Sequence, residues 1–264
     1  MALFLACAYD EEANVGRLIA DIESRPELWR DGGRLVLVDD GSRDRTAQIA
    51  EAHTGPLAVE VLRLGHNQGP GAAFDHGFRH VLAQPGGDGL IVTLEADTTS
   101  DLESLPEMLA KAAHADVVLA SVHGGGAMVG VGRFRQALSH AASSVVRAGA
   151  GIDAHTVSSF FRVYRAEILR AAYREHGEHL IQEHGFACKA EILAKLTALG
   201  AVVDEVPVTL DGSLRQGDSK LRILPTMAGY ARMLARQRRK RPAAMRGMTL
   251  GDGVAALLSV WRRP

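Results

Sequence analysis

In LIVTLEADTTSDL (residues 90–102) an apolar run ends in two carboxylates, Glu95 and Asp97, one residue apart. A charge at the end of a buried strand is costly unless a partner meets it. Two carboxylates so placed suit a hard divalent cation. Mg²⁺ and Mn²⁺ prefer oxygen ligands, and Mg²⁺ takes one or two carboxylates beside phosphates and water. A second acidic pair, Asp39 and Asp40, closes RLVLVDD, and a third group follows the first apolar run in AYDEE (residues 8–12). Asp39 and Asp40 can accept hydrogen bonds from a base and a ribose, while Glu95 and Asp97 can hold a cation that bridges a diphosphate. The alternative use of each pair is to cap the segment that follows, which covers at most one of Asp39 and Asp40. A dinucleotide-binding dehydrogenase would also carry an acid after its second strand, but its first turn must be glycine-rich. Here that turn, AYDEEAN, has no glycine and three acids, and it would repel a pyrophosphate.

The elements that must position these acids alternate along the chain. ALFLACA reads as a strand and precedes Val15, Leu18, Ile19 and Ile22 on one helical face, with Asp10 placed to cap that helix. RLVLVDD, AVEVLRL, GLIVTLEAD and ADVVLAS read as further strands. Between them lie SRDRTAQIAEAH and GAAFDHGFRHVLA, the second with Phe74, Phe78 and Val81 on one side. Near-continuous Val/Leu/Ile runs separated by helices predict an α/β fold with a mostly parallel central sheet covered on both faces. In such sheets ligands gather beyond the carboxyl ends of the strands, where all three acidic groups fall. The second half is more mixed: GFACKAEILAKLTALG predicts a helix packed through Ala187, Ala190, Ile192 and Leu196, and AVVDEVPVTL a strand.

The 264 residues are 47% hydrophobic and 23% charged, enough for a sizeable core. A net charge of −1 argues against a nucleic-acid partner. Cys7 and Cys188 are too few for a disulfide framework or a cysteine-rich zinc site, so a reducing, cytoplasmic setting is expected, and both read as inert small hydrophobes. MALFLACAYDEE reads as a strand rather than a leader. No apolar run approaches the ~20 residues of a membrane span. His176, His179 and His184 lie in a polar stretch and read as ordinary residues rather than zinc ligands. Gly69 and Gly71 suit either a tight turn or a ligand loop.

Taken in order, ACAYDEEANV, LVLVDDGSRDRT, GPGAAFDHGF, LEADTTSDLESLPEML, SSFFRVYRAEIL, GFACKAEILAKLTALG, VDEVPVT and RQGDSK resemble family 2 glycosyltransferases. Within that family they look like polyprenyl-phosphate glycosyltransferases of the dolichol-phosphate mannose synthase type. The resemblance covers residues 3 to 225. It implies a GT-A fold, a nucleotide-sugar donor (a GDP- or UDP-sugar), Mg²⁺ or Mn²⁺, and inverting transfer to a polyprenyl phosphate. By position it implies that Ala8, Tyr9 and Glu11 hold the base and that Asp39 and Asp40 hold base and ribose. Gly69 lies in the third loop, Glu95, Ala96 and Asp97 form the metal and diphosphate motif, and Thr99 stands where some relatives reach the metal. Ser159, Arg162, Arg215, Ser219 and Lys220 match positions near the acceptor phosphate and the departing diphosphate, and Glu191 matches a helix carboxylate near the sugar. Arg133 or Arg135 is expected to assist at the acceptor phosphate. A phosphate acceptor is already ionised and needs no general base, whereas a hydroxyl acceptor would need one, with Glu191 or Asp97 the candidates.

The chain departs from the family pattern at several points. Glu95 replaces the usual first aspartate and is one methylene longer, which puts its direct contact with a metal in question. Cys7 stands for a proline, Asp10 for an asparagine, and Phe160 for a glycine, narrowing the acceptor site. GPGAA lacks the frequent lysine. The alternatives are a transferase acting on a soluble or specialised-metabolite acceptor, and a sugar-nucleotide-binding subunit without turnover.

Residues 1–225 are expected to form the transferase domain and residues 226–264 a basic, amphipathic helical tail. Arg222, Arg232, Arg236, Arg238, Arg239, Lys240, Arg241 and Arg246 accompany an apolar stripe of Leu224, Met227, Ala231 and Leu234. A second stripe comprises Val254, Leu257, Leu258 and Trp261. Two uses are open: a helix on the anionic inner face of a membrane, or a helix packed on the domain with a solvated basic face.

Overall fold

The structure, a computed structural model, describes residues 2–29, 32–84, 89–214, 216 and 223–240. Its centre is a seven-stranded sheet in the order β3-β2-β1-β4-β7-β5-β8. The strands are β1 (Ala2–Ala8), β2 (Arg34–Asp39), β3 (Ala58–Arg63), β4 (Leu90–Glu95), β5 (Val117–Ser121), β7 (Arg162–Arg165) and β8 (Val203–Pro207). Pairings are parallel except that β7 runs antiparallel to both neighbours, β4 and β5. A parallel ribbon of β6 (Ala127–Val129) and β9 (Thr209–Asp211) stands apart from the sheet.

The alternating side-chain directions of a strand explain the apolar runs. In β1, Leu3 and Leu5 enter one core while Ala2, Phe4, Ala6 and Ala8 enter the other; in β2, Val36 and Val38 oppose Leu35 and Leu37 in the same way. Both faces are therefore covered. On one side lie α1 (Val15–Glu23) and α4 (Leu105–Lys111), with α1 burying the expected Val15, Leu18, Ile19 and Ile22. On the other lie α3 (Pro70–Ala83), with Phe74, Phe78 and Val81 buried, and α6 (Ala166–His176) and α7 (Cys188–Ala198). The short α2 (Thr46–Glu51) follows β2, and α5 (Arg133–Ala150) follows the ribbon.

Helix α7 is buried nearly all round, including Lys189 and Glu191, so its outward-facing pattern is weak and its ions must find partners inside. Helix α8 (Ile223–Lys240) crosses the boundary expected at residue 225 and packs on α5 and α7. Its buried face is Tyr230, Met233 and Leu234; of the expected stripe Leu234 is buried and Met227 packs partly on the core, while the other two face outward. Leu224 is 82% exposed and Ala231 is exposed. A Cβ on Gly229 would stand 2.7 Å from the Ala187 Cβ, so the glycine permits the close approach of α8 to α7. The second stripe at 254–261 lies outside the described residues.

The strand order reverses between β1 and β4, with β2 and β3 on one flank. Register places Ala8 beside Asp39 and Cys7 beside Glu95. The carboxyl ends of three strands therefore meet at the switch point, where open α/β sheets bind ligands.

Candidate functional site

The loop after β1 is built by its neighbour. The Asp10 amide donates to Ser42 Oγ (2.9 Å) and the Glu11 amide to Thr46 Oγ1 (2.7 Å), while Asp10 Oδ1 accepts from the Arg43 amide (2.8 Å). Asp10 thus ties two loops together and does not cap α1. The helix starts one residue after Asn14, whose side chain is also occupied elsewhere. Asn14 Nδ2 donates to Glu11 Oε2 (2.6 Å) and to the Gln216 carbonyl (2.9 Å), and its Oδ1 accepts from the Gln216 amide (3.1 Å). Arg17 reaches the Leu214 carbonyl at 3.0 Å. The described part of the 214–216 segment is therefore pinned beside Glu11.

The Asp39–Asp40 pair divides its work. Asp39 Oδ1 accepts from the Ser42 amide (3.3 Å), shaping the turn. Asp40 lines the cavity, but its two oxygens accept from the amides of Gln68 and Gly69, each at 2.8 Å. Burial holds its carboxyl above the ordinary value, opposed by those two amides. Both acids are 3% exposed, and the geometry makes Asp40 first a brace for the loop before α3. Gly69, at φ +93°, ends that loop. A Cβ on Gly71 would fall on the Glu183 carbonyl oxygen and 3.0 Å from Cys188 Cβ. The Gly71 amide donates to the His184 carbonyl at 2.7 Å. These glycines let α3 and the 183–186 segment touch through their backbones, a role beyond a tight turn.

At the end of β4 the backbone turns through Thr98 at φ +62°. Asp97 Oδ1 accepts from the Thr99 amide (3.1 Å) and from Thr99 Oγ1 (2.7 Å), so Thr99 holds the carboxylate. Glu95 Oε1 pairs with Lys189 Nζ at 3.0 Å, across 94 residues of chain. The ammonium also lies 4.3 Å from the Phe160 ring centre and 5.1 Å from that of Phe186. Phe160 stacks on Phe74 with centroids 4.3 Å apart. Lys189 was not among the expected site residues. Its signal was a lysine set in the apolar helix GFACKAEIL, where a buried ammonium requires an acid.

Four expected site residues, Asp39, Gly69, Arg162 and Glu191, are absent from the cavity lining. Arg162, 1% exposed, donates to the carbonyls of Lys189 (2.9 Å) and Val157 (2.9 Å) and to Tyr164 Oη (3.1 Å). It braces the core under the site, because its side chain leaves the sheet on the face covered by α7. Glu191, fully buried, accepts from the amides of Gln182 and Glu183, each at 2.8 Å, and pairs with Lys195 at 2.8 Å. Held this way, it closes the turn before α7 and is poorly placed as a base. Ser159 lines the cavity and its Oγ accepts from the Phe161 amide (3.0 Å). Arg215, Ser219 and Lys220 lie outside the described residues, as do the side chains of Arg133 and Arg135 on α5.

Glu11, Asp40, Glu95 and Asp97 line one cavity of about 960 Å³. Its lining includes Ala8, Tyr9, Glu11, Asp40 and the Glu95-Ala96-Asp97-Thr99 turn, together with the apolar Met128, Val131, Leu210, Pro225, Met227 and Tyr230. Cys7 also lines it, its thiol pushed up by burial, while burial carries Cys188 to about 12. Helix α8 supplies part of the apolar lining and is held by charge: Glu183, its side chain 3% exposed, pairs with Arg232 (2.7 Å) and Arg236 (2.5 Å). Of the two uses left open for the tail, these two cations take part in packing on the domain, where they meet a buried acid. Among the described residues no three His, Cys, Asp or Glu side chains form a metal cluster. One carboxylate with a diphosphate is nevertheless within the coordination habit of Mg²⁺, and Asp97 on the cavity wall can supply it.

Comparison with known proteins matches residues 4–172 to the model of Glycosyl transferase family 2. An undecaprenyl-phosphate mannosyltransferase of Micrococcus luteus is 30% identical over 177 residues, 66% of this chain and 70% of that one. An undecaprenyl-phosphate 4-deoxy-4-formamido-L-arabinose transferase of Pseudomonas aeruginosa is 34% identical over 185 residues, 68% of this chain and 52% of that one, so the match spans about half of that relative. Among solved structures, glucosyl-3-phosphoglycerate synthase from Mycobacterium tuberculosis, in complex with Mn²⁺, UDP and glucosyl-3-phosphoglycerate, superposes with a TM-score of 0.61 at 17% identity, covering 90% of this chain and 79% of that one. S. aureus TarS 1–349 in complex with UDP-GlcNAc gives 0.60 at 16% identity, covering 98% and 71%.

Proposed function

Since the chain belongs to Glycosyl transferase family 2 and has the GT-A fold, we propose that it moves a sugar, with inversion, from a nucleoside-diphosphate donor to a polyprenyl phosphate. The observation that carries this reading is one cavity lined both by acids from three strand ends and by apolar residues of the ribbon and α8. A polar donor suits the acids with a cation, and an isoprenoid chain suits the apolar residues. The names of the relatives point the same way.

The acceptor phosphate oxygen attacks the anomeric carbon from the side opposite the diphosphate, and the carbon–oxygen bond to the diphosphate breaks. The leaving group keeps that electron pair. A phosphate monoester carries its charge at neutral pH and needs no proton removed. The burial of Glu191 in backbone hydrogen bonds favours such an acceptor over a hydroxyl. Tyr9 and Glu11 face the donor's nucleoside end, and Phe74 and Phe160 narrow the space around the sugar. Asp97 would hold a divalent ion, which neutralises charge on the departing diphosphate when bound.

Among the described residues no helix is long and apolar enough to cross a membrane. The exposed Leu224 and the run of Arg and Lys from residue 236 onward in the sequence support a peripheral seat for the enzyme beside its lipid acceptor. The test is transfer from labelled UDP- and GDP-sugars, with Mn²⁺ and with EDTA, to a short polyprenyl phosphate in detergent and to the matching polyprenol. Metal-dependent glycosylation of the phosphate alone is expected. Transfer to the alcohol, or only to water-soluble acceptors, would overturn the proposal.

A further inference from the structure

Lys189 is built into the cavity wall more firmly than a chance ion pair requires. Its residue is 6% exposed, its ammonium meets Glu95 Oε1 at 3.0 Å, and the rings of Phe160 and Phe186 close on it. Its own carbonyl is held by the Arg162 guanidinium at 2.9 Å, so backbone and tip are both fixed. Both Lys189 and Glu95 line the same cavity as Asp97. Were Glu95 to ligate a metal through its other oxygen while Oε1 keeps the ammonium, the ion would stand beside a fixed like charge, and were it to turn away, the ammonium would lose its counter-charge. Either outcome is unfavourable in a partly desolvated site.

We propose that Lys189 is a resident cation of the donor site, presented to the diphosphate of the nucleotide sugar, and that Glu95 is its anchor rather than a ligand of the divalent ion. This rests on the reading of the cavity as a nucleotide-sugar site. A charge held in place before the ligand arrives needs no reorganisation to stabilise a diphosphate. Glu95 is then a positioning residue, and the longer side chain in place of aspartate has a purpose: it reaches across the cavity floor to α7. The divalent ion is left to Asp97 and the phosphates.

The test uses the full chain, with UDP and GDP as probes. Manganese binding is read by electron paramagnetic resonance at saturating nucleotide, and nucleotide binding by calorimetry in EDTA. Glu95→Gln is expected to leave the manganese dissociation constant within about threefold, whereas Lys189→Met weakens the diphosphate by about tenfold without metal and Lys189→Arg recovers most of it. Thermal melts of each variant confirm a folded chain, and Lys189→Arg keeps the charge should Lys189→Met melt early. A loss of about tenfold or more in manganese affinity on Glu95→Gln would make Glu95 a ligand and overturn the proposal. Undiminished diphosphate binding by Lys189→Met would overturn it as well. If the wild-type chain binds neither nucleotide, the donor reading itself falls and takes this inference with it; loss confined to the variants' predicted pattern separates the two failures.

Discussion

Replacing Arg162 by methionine tests whether its guanidinium serves the core or an acceptor phosphate. The side chain is 1% exposed and all three of its hydrogen bonds end on neutral oxygens. Methionine fills most of the space and donates nothing. The carbonyls of Val157 and Lys189 then lose a buried donor at about 1–3 kcal/mol each. Against this, removing a charge from the interior returns part of the desolvation that the ion bears. The net loss is about 3 kcal/mol, which lowers a urea midpoint by about 1 M for a chain with a slope near 3 kcal/mol/M. Unfolding followed by tryptophan fluorescence reads it directly. Arg162→Lys keeps the charge, but one ammonium cannot span three oxygens, and it is expected to fall between methionine and wild type. The reasoning fails if Arg162→Met leaves the midpoint in place while raising the KM for a phosphate acceptor about tenfold, because the guanidinium would then face the acceptor.

Gly71→Ala is expected to cost about 2–3 kcal/mol in the same assay, since a Cβ there meets the backbone of Glu183 and cannot be relieved by a rotamer change. Glu183→Gln weakens the hold on α8. Because Arg232 is 60% and Arg236 35% exposed, the loss is held to about 1–2 kcal/mol, and hydrogen exchange of the α8 amides is expected to quicken while that of β1 stays slow. At Glu205, burial raises the carboxyl, but the His155 and Thr156 amides and the His155 ring outweigh it and leave the pKa below its ordinary value. Its folded pKa being the lower one, Glu205 stabilises the fold above the unfolded carboxyl value and loses that contribution as pH falls through the folded value. Glu205→Gln is therefore expected to lower stability at pH 7 and to flatten the acid limb of the stability–pH curve.

The layered architecture was legible because strands buried on both faces leave near-continuous apolar runs, as in RLVLVD, and because α1 spaces its four buried residues on one face. The meeting of acids at one edge was legible from their shared position after such runs. What each acid touches was not. Asp40 turns to two amides 28 and 29 residues away, and Glu95 to an ammonium 94 residues away. No local spacing encodes those distances. Arg162 sits on β7 opposite Thr93, and that register, in a sheet covered on both faces, sends its side chain into the core; a motif of residue types carries no register. The buried face of α8 shares Met227 and Leu234 with its apolar stripe but also includes Gly229, whose close approach to Ala187 hydropathy does not register.

Thr98, a β-branched residue at φ +62°, and Asp10 at φ +51° hold the bends on either side of the acidic wall in a conformation disfavoured by about 1–3 kcal/mol each. The surrounding hydrogen bonds keep these bends cocked, so the turn carrying Asp97 has already surrendered the freedom that a slack loop would lose when a ligand arrives. Relaxing the bend with Thr98→Gly would then yield a sturdier protein with a poorer grip on its ligand, a divergence of robustness and affinity that marks tension maintained for use.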